Sequence, residues 1–218
     1  MNVLKKLSKN KNASRGFTLV ELLVALTLFM IIMDITVSVF VSIVQHQKRI
    51  LAEQEFLNQT SYAVESMSKS IRLAVKDPMG DCLFEENKTY PGYVYLLTRY
   101  NPGTDASEGI KFVTKDGACQ EFFLDEDGIL KESKDQDASK AGSAGLPVSG
   151  QPPQAILSSK FAIEHLKFLI NGDENLLGAS SEDARQPRVT MLLKVIMQTG
   201  KTQQEKIIQT TVSQLELN

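Results

Sequence analysis

Tryptophan is absent from this chain, and cysteine and histidine occur twice each in 218 residues. So few soft ligands leave little room for a metal centre. Cys82 and Cys119 form no CxxC pair and stand apart from both histidines, which excludes the usual zinc spacings. His46 follows a long apolar run and reads as a polar residue at an interface. His165 alternates with apolar residues in a strand pattern and reads as exposed or hydrogen-bonded. No G-x-S-x-G, P-loop or H-E-x-x-H is present. Asp125, Glu126 and Asp127 precede Gly128 but miss the spacing of a calcium loop, so a turn is expected there. The aromatic residues form no basic-aromatic stripe of the kind that binds single strands. No internal repeat occurs. These gaps predict no catalytic residue, no metal and no cofactor.

Charge is the next clue. Lys5, Lys6, Lys9, Lys11 and Arg15 load the first sixteen residues, which contain no acid. The net charge of -2 therefore hides a body of about -7. An acidic body does not predict nucleic-acid binding. The basic block instead precedes a long apolar segment, Phe17 to Val44, which as helix would extend about 42 Å and span a bilayer. Positive charge on its N-terminal side keeps Met1 to Arg15 in the cytoplasm and sends the body outward. Two acids interrupt the run, Glu21 and Asp34. A plain signal anchor accounts for the span but not for Glu21. A secretory signal peptide would need a small-x-small cleavage site, and Val37 to Gln45 is mostly bulky or β-branched there.

A third reading comes from "RGFTLVELLVALTLF". This stretch resembles the type III signal sequence of type IV pilins and type II secretion pseudopilins. The resemblance implies a basic leader, residues 1–16, that a prepilin peptidase removes after Gly16. Phe17 then becomes an N-methylated N-terminus. It further implies that Glu21 pairs with the terminal amine of a neighbouring pilin or pseudopilin subunit during filament assembly. Physical chemistry agrees with that role. A carboxylate in the first turn suits the helix dipole, and a buried charge without its partner is strongly unfavourable.

Beyond the span, Gln45 to Val75 contains no glycine or proline. Ile50, Leu57, Val64, Met67, Ile71 and Ala74 recur near a 3.5-residue spacing, widened by Phe56, Ala63 and Leu73, and predict an amphipathic helix over 45–77. Asp77-Pro78 should stop it. Phe17 to Val75 would then be one helix of roughly 88 Å. Residues 78–218 read as a β-rich domain. Strands are expected at Tyr93–Arg99, Ile110–Thr114, Cys119–Asp125, Ile129–Glu132, Ile163–Ile170, Arg188–Gln198 and Lys206–Leu217, with long loops at 132–155 and 171–187. The expected fold class is α+β, a long N-terminal helix packed on an antiparallel sheet. If this domain is exported, Cys82 and Cys119 could pair as a disulfide, with two buried thiols as the other reading.

The C-terminal half adds a looser resemblance. "AIEHLKFLINGDE", "QPRVTMLLKVIMQ" and "IIQTTVSQLELN" look like the three closing strands of J-type minor pseudopilins. Gln214-Leu215-Glu216 departs from the arginine-containing end common in that pattern. The expectation is a non-enzymatic minor pseudopilin or pilin subunit, anchored in the inner membrane with its C-terminal domain outside the cytoplasm, that assembles through its N-terminal helix. The alternative is a membrane-anchored binding module that does not polymerise.

Overall fold

The computed structural model describes residues 16–85, 88–135, 152–172, 186–199 and 202–215. One helix, α1, runs without a break over Leu19–Arg72. Its residues divide between two compact units. The first ends at Leu51 and the second begins at Ala52.

In the first unit every described side chain from Phe17 to Ile43 is exposed. This part of α1 is long and apolar enough to cross a membrane. Its exposed apolar surface is of the kind that lipid or another helix buries.

In the second unit α1 buries Phe56, Thr60, Ala63, Met67 and Ile71. Most of the expected stripe is buried, with Ala74 beyond the helix end, and it is corrected at Ile50 and Leu57. Ile50 and Leu57 are 54% and 42% exposed, whereas Phe56 is fully buried. At about 100° per residue Ile50 and Leu57 lie roughly 80–100° from the centre of the 56/60/63/67/71 row, whereas Val64 lies nearer and packs partly buried against the core. Thr60 tolerates burial because its hydroxyl donates to the Phe56 carbonyl at 2.7 Å. On the flanks of this face, Glu53 pairs with Lys206 and Glu55 with Lys160, each at 3.0 Å.

The helix ends three residues before the expected Val75. Lys69 and Arg72 sit in its last turn, where cations suit the dipole. Val75 is instead taken by the sheet, its amide donating to Val113 at 2.9 Å. Asp77, expected to stop the helix, lies past its end and has another role. It is buried, and its carboxylate accepts the amides of Gly80, Cys82 and Leu83 at 2.8–2.9 Å.

Ten strands follow among the described residues: β1 (Phe84–Glu85), β2 (Lys88–Thr89), β3 (Tyr95–Asn101), β4 (Ala106–Val113), β5 (Cys119–Leu124), β6 (Leu130–Asp135), β7 (Gln154–Ala155), β8 (Phe161–Asn171), β9 (Arg188–Thr199) and β10 (Thr202–Ser213). β1 and β2 form a small hairpin. Among the described residues the other eight make one antiparallel sheet in the order β10-β9-β8-β4-β5-β6-β7, with β3 also on β4. The expected loop at 132–155 is corrected at both ends. β6 continues to Asp135, and Gln154 pairs with Glu132. Residues 136–151 of that loop lie outside the described residues, as do 173–185 of the loop expected at 171–187. The last strand starts earlier than expected and stops at Ser213. There Gln214 turns inward, its side-chain amide donating to Ala74 at 3.0 Å, and the Leu215 amide donates to Arg72.

β8 carries a bulge between Ile163 and His165. The extra residue lets Glu164 and His165 both face solvent while Ile163 and Leu166, three apart, both reach the core. The β5–β6 turn closes on this bulge. Gly128 has φ 73°, and its carbonyl accepts the Ile163 amide at 2.9 Å. A Cβ at Gly128 would stand 3.0 Å from the Ile163 carbonyl oxygen, so turn and bulge fit each other only with glycine here.

The core lies between α1 and the sheet. Phe56 packs on Phe161 with ring centroids 5.5 Å apart, and Tyr95, Phe112 and Phe122 form a tilted row. Tyr95 donates its hydroxyl to the Ile71 carbonyl at 2.7 Å, which ties the end of α1 to β3. Burial raises the Tyr95 pKa well above its ordinary value. A smaller cluster gathers Cys82, Leu83, Leu96, Val113 and Cys119. Cys82 and Cys119 are bonded as a disulfide, with Cα atoms 5.6 Å apart.

Candidate processing and assembly site

The residues singled out at the N-terminus lie together on one short segment. Gly16 and Phe17 precede the helix and are exposed, Phe17 by 78%. A peptidase needs an extended, reachable bond, and the Gly16–Phe17 peptide stands outside regular structure.

Thr18 and Glu21 build the start of α1. The Thr18 hydroxyl accepts the Glu21 amide at 3.3 Å, and a Glu21 carboxylate oxygen accepts the Thr18 amide at 3.5 Å. This reciprocal pair is a capping box. It satisfies two of the donors that a helix start leaves open and sets a negative charge at the positive end of the dipole. Thr18 entered the sequence reading only as part of the quoted motif, and its capping role was missed although the signal was present. A threonine followed three residues later by glutamate, just before an apolar run, marks a helix start. Glu21 is exposed, so its carboxylate caps the helix and remains open to an incoming partner.

The remaining candidates fall elsewhere. His46 is exposed on α1, and His165 faces solvent beside the β8 bulge. Asp125 serves its turn. One carboxylate oxygen accepts the Asp127 and Ile129 amides at 3.1 and 2.8 Å, and the other meets Lys131 at 2.5 Å. Burial works to raise the Asp125 pKa, but these donors outweigh it, and the carboxyl lies below its ordinary value. Asp77 and the disulfide lie together in the β-rich domain and stabilise its first loop.

Residues 11–33 match the prokaryotic N-terminal methylation motif. The match covers the end of the basic segment, Gly16, Phe17, the capping box and the first half of the apolar run. A methylation motif on an apolar helix, followed by an antiparallel sheet, is the arrangement of a type IV pilin-like protein. The chain carries that arrangement, and the motif marks it as the kind of substrate that a prepilin peptidase processes. No curated protein and no solved structure matches the chain.

Proposed function

We propose that this chain is a non-enzymatic minor pseudopilin of the J type. It is inserted in the inner membrane by the apolar half of α1 and is cut after Gly16. It then assembles through that helix into a type II secretion pseudopilus or a related filament. The observation that carries this reading is the methylation motif at 11–33 on a helix whose exposed apolar surface is long enough to span a bilayer. Two further features support it. The Cys82–Cys119 disulfide suits an oxidising compartment and hence an exported β-rich domain. The three segments that resemble J-type strands form β8, β9 and β10, consecutive antiparallel neighbours in the sheet. Its partners are the prepilin peptidase and other pilin-type subunits, with no nucleic acid involved.

Mass spectrometry of protein taken from membranes tests the reading. The expected first residue is N-methylated Phe17. An intact leader on functional, membrane-inserted protein would overturn it in favour of an anchored module that does not polymerise.

A further inference from the structure

The apolar part of α1 contains a second acid that neither capping nor processing uses. Asp34 lies about 25 Å past Phe17 and about 15 Å short of Val44 along the axis, so it sits well inside the span. It is exposed, and among the described residues its carboxylate has no polar partner. Two nearby threonine hydroxyls are already committed to their own helix, Thr27 to the Val24 carbonyl at 2.9 Å and Thr36 to the Ile32 carbonyl at 2.7 Å. The helix cannot supply a donor itself, because its interior amides are bonded to carbonyls four residues back.

The neighbours of Asp34 are patterned. Thr27, Ile31, Asp34, Ser38, Val41 and Gln45 recur at alternating spacings of four and three, which is the seam of two packed helices. At about 100° per residue they fill an arc of roughly 80°. Glu21 lies about 140° away round the helix, so this seam is separate from the acid at the helix start. The face opposite Asp34 is apolar, through Phe29, Ile32, Phe40 and Ile43, apart from the self-bonded Thr36. Small and polar residues on one face of a membrane helix let a second helix approach closely and bond to it.

We propose that this seam packs against a second membrane-spanning helix that presents a basic side chain at the level of Asp34. The inference rests on the membrane-anchored part of the proposed function. Charge complementarity selects the occupant. Lipid would leave the carboxylate without a partner, and an in-register second copy would set Asp34 against Asp34. A facing lysine or arginine satisfies the carboxylate, and Ser38 leaves room for it.

Photo-crosslinking in intact membranes tests this with the full chain. Probes at Ser38 and Val41 report the seam, and probes at Ile32 and Ile43 report the opposite face. The expected result is capture of one membrane protein from the seam alone, with a lysine or arginine in its span within a helical turn of the crosslink. Asp34→Leu should lower the yield roughly tenfold, and Asp34→Glu should retain it. Exchanging the charges, Asp34→Lys with the partner's basic residue changed to aspartate, should restore it. Equal capture from both faces, a captured span without a basic residue, an in-register second copy, or an unchanged yield from Asp34→Leu would overturn the seam. Resistance to alkaline extraction is measured in parallel. A wild-type chain released by alkali would overturn the membrane reading as well. A retained chain with any of the contrary crosslinking results overturns the seam alone.

Discussion

Thr18 and Glu21 hold each other's backbone amides at 3.3 and 3.5 Å, so the acid at the edge of the apolar run is also the cap of its helix. Two roles therefore meet in Glu21, and two substitutions separate them. Glu21→Gln keeps an oxygen that can accept the Thr18 amide but carries no charge. Glu21→Val removes both and costs the helix start about 1 kcal/mol. Both variants should still insert, because removing an intramembrane charge favours insertion by about 2.5–3.5 kcal/mol. Recovery in sheared filaments should fall for both variants if the charge pairs with a neighbour's amine. Normal recovery of Glu21→Gln with loss of Glu21→Val would assign the requirement to capping alone.

The phase of α1 on the sheet can be read from two adjacent residues. Phe56 is fully buried against Phe161, while Leu57 is 42% exposed. In a fragment beginning at His46, which should be soluble and folded, Phe56→Ala should cost about 3–5 kcal/mol in urea unfolding. Leu57→Ala should cost less than about 1 kcal/mol. Equal costs would place Leu57 on the buried face beside Phe56.

The disulfide and Asp77 act on the same loop. Replacing both Cys82 and Cys119 with alanine should lower stability by about 3–4 kcal/mol, from the loop-closure entropy of a 37-residue separation. Asp77→Ala should cost more than about 2 kcal/mol, since it leaves three amides without their acceptor. Asp77→Asn, which keeps one accepting oxygen, should fall between wild type and alanine. Thermal unfolding of the four proteins, with and without reductant, checks the ordering.

Alkaline stability should report on Tyr95. Its folded pKa is raised from an ordinary value of 10.0 by burial, so its contribution is fully present below that value. As pH rises beyond it, the unfolded chain loses the phenolic proton while the folded one keeps it, and stability declines. Tyr95→Phe should remove this share of the decline above about pH 10. At neutral pH it should cost about 1 kcal/mol for the lost bond to Ile71. A wild-type curve that runs parallel to that of Tyr95→Phe through the alkaline range would argue against a buried phenol.

What the sequence determined by itself was whatever depends on near neighbours. The basic block, Gly16-Phe17, Glu21 and the apolar run announce their meaning within some thirty residues. The long helix and most of the strands are legible because periodicity is local. The capping box was equally local, and it is visible once Thr18 and Glu21 are read together. Tertiary structure decided the rest. Which face of α1 is buried depends on a 3.6-residue helix meeting the row of Phe161, Tyr95 and Phe112, and no count of apolar positions contains that surface. Whether α1 goes on to Val75 depends on Val113, which takes the Val75 amide into the sheet. Asp77 has a structural role only because three later amides fold back onto it. The bulge at Glu164 exists because Gly128, from a distant turn, docks at Ile163. Each of these is a contact between segments far apart in the chain, and its free energy is available only once both segments are in place.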